Sequence, residues 1–251
     1  LTTFDVRVEN DYFIVELPDE PGQNKKPAMS GRQSSVDSRE FVIVGSGAAG
    51  QNCAETLRRK GFCGRIVMIT RDGKLPYDRT ELSKGLLKKN KRVLPALRDQ
   101  DFYNKHDIEL LTEKEVRRVD PKGHLIGYCD IRNGKEEQLN YDRLLLAVGS
   151  EPRKLKVDGA DCPNIFYLRS YDDFINLSER VEKASSAVIV GSSFIGMECA
   201  ASLRENDIEV TVVGMGSVPF EQTLGKEVGE CFLRAHEENG VHFAGGRKVA
   251  Q

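Results

Sequence analysis

Several classes of functional site are missing from this sequence. Its six cysteines include no C-x-x-C pair, and none lies near a histidine at the spacing of a zinc motif. No apolar run approaches the roughly 20 residues that a membrane-spanning helix needs. The formal net charge is only −2, so no basic footprint for nucleic acid is present. The sequence therefore predicts no metal site, no membrane span and no nucleic-acid partner.

The isolated cysteines and histidines are expected to be ordinary structural residues. The cysteines are predicted to be reduced and mostly buried, as in a protein of a reducing compartment. No histidine has a carboxylate or cysteine partner at a recognisable spacing. With 39% apolar and 30% charged residues, the 251-residue chain is typical of a globular protein with one large domain or two ordinary ones.

The strongest positive signal is an apolar strand that runs directly into glycines. Residues 41–44 read Phe-Val-Ile-Val, and G-x-G-x-x-G follows as Gly45, Gly47 and Gly50. In a dinucleotide-binding turn the first glycine permits the sharp turn and the second lets a pyrophosphate approach the backbone. The third lets the next helix pack closely on the strand. The free N–H groups at the start of that helix attract phosphate.

The surrounding sequence predicts a complete β-α-β unit. Apolar residues at Cys53, Ala54 and Leu57 indicate a helix, Gly61 is expected to cap it, and a second apolar strand follows at 66–69. The polar residues between the apolar helix positions are Gln51, Glu55, Arg58 and Arg59. The alternative is an α/β unit whose glycines serve only packing. The strand and helix around the motif favour the nucleotide site.

The same pattern recurs later in the chain. A strand at 187–190 ends in Gly191, with Ser193 in the place of the middle glycine and Gly196 as the third. A helix over 197–205 and a strand over 208–213 are predicted to follow. The alternative here is a strand–helix turn without a ligand. Two such units in one chain are typical of proteins that hold a resident flavin and bind a diffusible nicotinamide nucleotide.

The remaining segments give shorter elements. Residues 4–17 alternate as a β-hairpin with one apolar face, and residues 18–40 are rich in proline, glycine, serine and charge, as in a linker. Further strands are predicted at 108–111, 116–119, 124–131, 141–148 and 241–243, with a turn at 133–134 and a helical start near 81. The hairpin needs a partner and the second sheet needs more strands, so both ends of the chain are expected to be cut.

Taken together, the ordered motifs resemble the FAD-dependent pyridine-nucleotide oxidoreductases, and within them the apoptosis-inducing-factor and ferredoxin-reductase branch. The resemblance covers residues 41–251. It rests on five motifs, which are V-G-S-G-A-A-G at 44–50, L-P-Y-D-R at 75–79, L-S-K at 82–84, L-L-L-A-V-G at 144–149 and F-I-G-M-E at 194–198. It implies an α/β fold with two Rossmann-like domains, the second inserted in the first.

The resemblance also implies a domain order. Residues 1–17 would be the last hairpin of an upstream Rieske-like domain, and residues 18–40 a linker. Residues 41–165 would be the FAD-binding domain and 166–251 a truncated NAD(P)H-binding domain. A [2Fe-2S] cluster would lie only in the missing upstream domain, so no metal ligand is assigned in this chain.

By resemblance, each motif residue acquires an expected role. The FAD pyrophosphate would be met by Gly45, Gly47, Ala49 and Gly50. Arg79 would contact the FAD phosphate region, Lys84 would lie beside the flavin ring, and the Val116 backbone would contact the adenine. The strand end that closes over FAD would be Ala147, Val148, Gly149 and Arg153. The nicotinamide nucleotide would be met by Gly191, Ser193, Phe194, Ile195 and Gly196. Glu198 would pair with Lys84, offsetting the cost of burying a lone charge.

Four positions depart from the family pattern. Arg71 stands where the family has an acidic residue that binds the FAD ribose, and Asp72 beside it is the candidate replacement. Val148 stands where a threonine is usual, and Thr80-Glu81 where a proline pair is usual. Gly214 stands where the family has an acidic residue that binds the ribose of the second nucleotide. The choice between NADH and NADPH is therefore left open.

The implied function is an enzyme that takes a hydride from NAD(P)H onto FAD. It would pass electrons to an iron–sulfur acceptor of Rieske or ferredoxin type in the same full-length chain. A cell-death signalling flavoprotein with a structural flavin is the alternative from another class. A disulfide reductase is disfavoured, because no cysteine occurs from 64 to 128. The implied location is intracellular, either mitochondrial or cytoplasmic.

Overall fold

A computed structural model of the chain describes residues 6–10, 12–15, 29, 33–84 and 94–249. The strands are β1 Val6–Glu9, β2 Tyr12–Val15, β3 Glu40–Val44, β4 Arg65–Ile69, β5 Ile108–Leu111, β6 Lys114–Asp120, β7 Leu125–Asp130, β8 Glu136–Asn140, β9 Arg143–Leu146, β10 Ser186–Val190, β11 Glu209–Val213 and β12 Val241–Ala244. The helices are α1 Ala48–Arg59, α2 Gln100–Lys105, α3 Tyr171–Val181, α4 Phe194–Arg204, α5 Glu221–Leu224 and α6 Lys226–Glu238, with a short 3₁₀ helix at Arg79–Ser83. No helix in these ranges is both long and apolar enough to cross a membrane.

The first unit is a four-stranded parallel sheet in the order β5-β4-β3-β9. This order places β3 beside both β4 and β9, with Val42 opposite Val67 on one side and Leu144 on the other. After β5 the chain forms a separate antiparallel sheet of β6, β7 and β8, and it then re-enters the parallel sheet as β9. The glycine turn after β3 therefore lies at the carboxyl ends of the strands, where ligands bind in open α/β sheets.

Both faces of the inner strands β3 and β4 are covered, which explains their continuous apolar sequences. On one face Ile43, Ile66 and Met68 pack against Ala54 of α1 and Tyr103 of α2. On the other face Val42, Val44, Val67 and Ile69 pack against the antiparallel sheet, in a cluster with Ile126, Tyr128 and Tyr141.

The second unit is a parallel sheet in the order β10-β11-β12, covered by α4 and neighbouring helices. Its core also contains Tyr77 and Leu82, which belong to the loop that follows β4 of the first unit. The Tyr171 N–H, at the start of α3, donates to the Tyr77 hydroxyl at 3.0 Å. A loop of the first unit is thus anchored inside the second, and both expected parallel sheets are confirmed.

The start of the chain forms the predicted antiparallel hairpin of β1 and β2, with Val8 opposite Phe13. Val6, Val8 and Tyr12 are exposed, whereas Phe4 and Leu17 of the predicted pattern lie outside the described residues. The assignment of this hairpin to a Rieske-like domain stays a prediction. The described end of the predicted linker contacts the first unit, because the Ser34 N–H donates to the Cys63 carbonyl at 2.8 Å.

Helix α1 forms where it was predicted, and it buries polar side chains together with Ala54. Cys53 and Leu57 are half-buried, whereas the polar residues Gln51, Glu55 and Arg58 are buried. These polar groups are hydrogen-bonded, which makes their burial tolerable. Gly61 does end the helix, with φ of +81° and a bond from its N–H to the Arg58 carbonyl.

The expectation of mostly buried cysteines is wrong. Cys129 and Cys199 are buried, Cys53 and Cys63 are half-buried, and Cys162 and Cys231 are exposed. All six are free thiols. The helix predicted over 197–205 begins three residues earlier, at Phe194, and α2, α3, α5 and α6 were not anticipated.

Candidate functional site

The first glycine turn has the steric pattern that a dinucleotide site requires. Gly45 has φ of +106°, and a Cβ there would lie 2.2 Å from the Ala147 carbonyl oxygen. A Cβ on Gly50 would lie 1.9 Å from the Gly45 carbonyl oxygen. A Cβ on Gly47 would meet nothing within 4 Å. The first and third glycines are therefore demanded by packing, whereas the second faces open space suited to a ligand.

The start of α1 is open on the same side. Its N-cap is Gly47, which has no side chain, and the first bond within the helix runs from the Gln51 N–H to the Gly47 carbonyl. Ala49, in the first turn, is exposed. Unpaired N–H groups and the positive end of a 12-residue helix thus point toward the space in front of Gly47. These features fit the pyrophosphate of a dinucleotide.

The second turn repeats this geometry. Gly191 has φ of +113°, and a Cβ on Gly196 would lie 2.0 Å from the Gly191 carbonyl oxygen. Ser193 is the N-cap of α4, yet its hydroxyl makes no capping hydrogen bond. Phe194 and Ile195 in the first turn are about half exposed, at 48% and 54%. This helix start is therefore also open to an anion, despite the serine in the middle position.

Two candidate residues from different units meet between the sheets. The Lys84 ammonium lies 3.6 Å from Oε2 of Glu198, with the lysine after the 3₁₀ helix and the glutamate on α4. Lys84 also donates to the Thr80 carbonyl at 2.9 Å. Their side chains are 45% and 32% exposed, so solvent screens the pair. The structure thus brings together the cation and the carboxylate that the motifs suggest.

Two serines that sequence reasoning missed hold this pair in position. The Ser83 hydroxyl donates to Oε2 of Glu198 at 2.5 Å. The Ser202 hydroxyl lies 2.9 Å from the Ser83 and Lys84 carbonyls, within reach of both. Ser202 is four residues after Glu198, so the helical period places both on one face of α4. That period and the L-S-K motif were the signals available in the sequence.

Arg79 lies in a second polar cluster at the first unit. Its guanidinium donates to Oδ2 of Asp72 at 2.7 Å and to the Arg169 carbonyl at 2.7 Å. It also lies 5.0 Å from the centre of the Tyr77 ring. These bonds use two of the five arginine N–H donors, so others remain for a phosphate. Asp72, the candidate ribose ligand, is in this structure the partner of Arg79.

The other candidate residues lie around the two turns. The Ala147 N–H continues the pairing of β9 with β3 by donating to the Val44 carbonyl at 2.8 Å. Val148 is 69% exposed at this strand end, and Gly149 follows with φ of +71°. Arg153 is exposed farther along the segment that leaves the sheet. Val116 lies on β6, next to a register shift in its pairing with β7.

The cysteine nearest this chemistry is unsuited to nucleophilic work. Cys199 follows Glu198 on α4 and is buried. Burial, with a smaller contribution from the Glu198 charge, raises the pKa of Cys199 to about 12. A thiol with that pKa remains protonated near neutral pH, and the thiolate is the reactive form. Among the described residues, no group of three or more His, Cys, Asp or Glu side chains could hold a metal ion.

Comparisons with known proteins agree with this geometry. The profile of a family described as pyridine nucleotide-disulphide oxidoreductase matches residues 39–251. Apoptosis-inducing factor 3 of Mus musculus is 37% identical over 249 residues, covering 97% of this chain and 40% of that protein. Rhodocoxin reductase of Rhodococcus erythropolis is 36% identical over 204 residues, covering 81% of this chain and 47% of that protein.

A solved structure gives the same result for the fold. The ferredoxin reductase of Rhodopseudomonas palustris superposes with a TM-score of 0.78 at 30% identity, over 85% of this chain and 52% of that one. The chain thus spans only 40% and 47% of the two curated relatives named above.

Proposed function

Because the chain belongs to the pyridine nucleotide-disulphide oxidoreductase family, whose members use FAD and NAD(P)H, we propose that the full-length protein is an FAD-dependent NAD(P)H oxidoreductase. It takes a hydride from NADH or NADPH and passes electrons to an iron–sulfur acceptor. The observation that carries this proposal is the approach of Lys84 and Glu198 to 3.6 Å across the two nucleotide-binding units. In this proposal the charge pair lies where a flavin from one unit would meet a nicotinamide from the other.

The residues of the first turn fit FAD. The open space at Gly47 and the uncapped start of α1 would receive the pyrophosphate, with Ala49 beside it. Spare N–H donors of Arg79 would bind its phosphate region. The Val116 backbone would contact the adenine, and the strand end at Ala147 would close over the cofactor. When bound, FAD supplies a carrier that accepts two electrons together and releases them singly.

The residues of the second turn fit a nicotinamide nucleotide. Gly191 and Gly196 form the tight turn, and the start of α4 at Ser193 offers N–H groups to its phosphates. Phe194 and Ile195 are exposed there as apolar surface for the bound nucleotide. Lys84 supplies positive charge where negative charge develops during reduction, and Glu198 and Ser83 hold that charge in place.

The proposed acceptor follows from the names of the relatives. One is a rhodocoxin reductase, and a structural neighbour is a ferredoxin reductase. We propose an iron–sulfur acceptor of that kind, carried by an upstream Rieske-like domain of the same full-length chain. We also propose an intracellular location, mitochondrial or cytoplasmic.

A second candidate function is cell-death signalling with a structural flavin. It is favoured by the name of the relative that covers 97% of this chain, an apoptosis-inducing factor. Disulfide reduction has less support, because residues 64–128 contain no cysteine and the Cys199 thiol is buried with a raised pKa.

The test is anaerobic mixing of the full-length protein with NADH or NADPH while the flavin absorbance is followed. Lys84→Ala and Glu198→Ala are expected to slow bleaching at least about tenfold, because each removes charge or support at the junction. Loss of the exposed pair costs only about 1 kcal/mol of stability or less, so both variants should fold and retain FAD. Lys122→Ala, which removes an exposed cation from a turn of the antiparallel sheet, is the matched control.

The outcomes separate the two functions. Bleaching by either nucleotide that slows in both variants but not in the control supports the reductase. Wild-type rates in both variants would show that the pair has no role in reduction. A yellow protein that neither nucleotide bleaches would favour the signalling role.

A further inference from the structure

A cavity of about 480 Å³ lies at the carboxyl ends of β10 and β11, in front of the second glycine turn. Gly191 and Ser193 line it on one side, and Arg247 and Lys248, from the segment after β12, line it on the other. We propose that Arg247 and Lys248 form a 2′-phosphate subsite that makes this unit prefer NADPH over NADH. The inference rests on the proposed function, because it requires that the second unit binds a nicotinamide nucleotide.

The position at which an acidic side chain would favour NADH has no room for a side chain. In dinucleotide units of this type an acidic side chain at the end of the second strand binds the ribose hydroxyls. Here that residue is Gly214, and a Cβ on it would lie 2.5 Å from Oγ and 2.9 Å from Cβ of Ser192. The same Cβ would lie 3.1 Å from Cζ of the Phe243 ring. No side chain, acidic or otherwise, fits at Gly214 unless its neighbours move.

The backbone brings Arg247 beside Gly214. The Arg247 N–H donates to the Gly214 carbonyl at 2.9 Å, and the Gly246 N–H donates to the Gly216 carbonyl at 2.9 Å. The segment after β12 therefore folds over the end of β11. Arg247 and Lys248 are exposed and line the cavity. A guanidinium and an ammonium group are suited to the dianionic charge of a phosphate.

The described residues leave the two positive charges at the cavity without an acidic partner. Among the described residues, neither Arg247 nor Lys248 forms an ion pair with an acid. Glu221 is the carboxylate that lines the cavity. Its oxygens accept bonds from the Ser217 N–H at 2.6 Å and the Ser217 hydroxyl at 3.2 Å. The cavity thus retains two cations against one carboxylate that already has partners.

The first unit provides an internal comparison. There the Lys114 N–H donates to the Thr70 carbonyl at 2.9 Å, as Arg247 does to Gly214. The two segments then read Glu-Lys-Glu at 113–115 and Gly-Arg-Lys at 246–248. The segment of the unit proposed for FAD, which has no 2′-phosphate, carries net negative charge. The corresponding segment of the second unit carries only positive charge. The two segments have the same backbone bond but opposite charge.

The experiment is calorimetric titration of the full-length protein with adenosine 2′,5′-bisphosphate and with 5′-AMP, which differ only in the 2′-phosphate. The wild type is expected to bind the bisphosphate more tightly. Arg247→Ala combined with Lys248→Ala should weaken bisphosphate binding by about tenfold or more, the value of a charge-assisted hydrogen bond or two. Binding of 5′-AMP should change less than about threefold, which also shows that the variant is folded. Lys183→Ala, before the amino end of β10, is the matched control.

The results distinguish the inference from the function beneath it. Equal or tighter binding of 5′-AMP by the wild type overturns the 2′-phosphate subsite but leaves the nucleotide site intact. An equal loss for both ligands in the double variant also overturns it. If neither ligand binds, the assignment of the second unit to a nucleotide fails, and the inference fails with it.

Discussion

Replacing Arg58 with methionine is expected to remove a large part of the stability of the first unit. This side chain is fully buried in the last turn of α1, and its guanidinium donates to four backbone carbonyls. The acceptors are the carbonyls of Phe62 at 2.7 Å, Gly64 at 2.9 Å, His106 at 2.8 Å and Asp107 at 2.6 Å. The residue thereby joins the end of α1 to the segments that enter β4 and β5.

The magnitude follows from these four bonds. A hydrogen bond to a charged group contributes about 1.5–3 kcal/mol, and a buried acceptor left unpaired costs about 1–3 kcal/mol. Two terms oppose the loss. Burial lowers the pKa of Arg58, which reflects the cost of desolvating its charge, and methionine preserves most of the apolar packing. The net loss is expected to be about 3–5 kcal/mol, as for breaking other buried charged networks.

The assay is urea unfolding followed by far-UV circular dichroism, with Arg118→Met as the control. Arg118 is exposed on β6, so the same substitution there should change stability by about 0.5 kcal/mol or less. Arg58→Lys should lose less stability than Arg58→Met but remain less stable than the wild type, because an ammonium group has three donors for four carbonyls. A free energy of unfolding for Arg58→Met within about 1 kcal/mol of the wild type would refute the reasoning.

Two further predictions concern the glycine turn and acid stability. Gly50→Ala should lower both the melting temperature and the FAD content, because its Cβ would lie 1.9 Å from the Gly45 carbonyl oxygen. Gly47→Ala should lower the FAD content alone, because its Cβ would meet nothing within 4 Å. Equal melting temperatures for the two variants would contradict this. The Lys114 ammonium, through its hydrogen bond, lowers the pKa of Asp130 well below its usual range. The stability from Asp130 is therefore fully present above the unfolded-state pKa of about 4 and is lost as pH falls toward the folded-state value. Asp130→Asn should flatten the decline of melting temperature between pH 5 and pH 2, and an unchanged acid slope would count against the pair.

The parallel strands and both glycine turns were predictable because their causes are local. Strands β3 and β4 read as short apolar runs, since burial on both faces leaves no polar side. Strand β10 also reads as an apolar run, although Val188 and Val190 on it are exposed. The two turns were predictable from the steric requirement for glycine. A Cβ on Gly50 or Gly196 would clash with the carbonyl oxygen of the first glycine of its turn. Such signals require only the residue and its neighbours in the chain.

The burial of polar side chains on α1 was not predictable from the sequence pattern. Gln51, Glu55 and Arg58 are polar by composition, so a hydropathy pattern places them toward solvent. Their partners come from elsewhere in the chain, with Tyr103 donating to Gln51 at 2.7 Å and Arg98 lying 3.0 Å from Glu55. Only tertiary structure supplies those acceptors and donors, so the local period could not show that these polar side chains are buried beside Ala54.

The pairing of Lys84 with Glu198 in the candidate site was predicted, but the packing that brings the two residues together was not. Lys84 and Glu198 were paired by the motifs that contain them, and no spacing argument relates residues so far apart. The cause lies in the loop before Lys84. Tyr77 and Leu82 are buried in the core of the second unit, at 6% and 3% exposure, so the loop is held by apolar burial and not by the ion pair. A half-exposed ion pair is worth at most about 1 kcal/mol and could not hold the two units together. Apolar packing thus fixes the distance between the units, and the ion pair at the junction is not needed to hold them together.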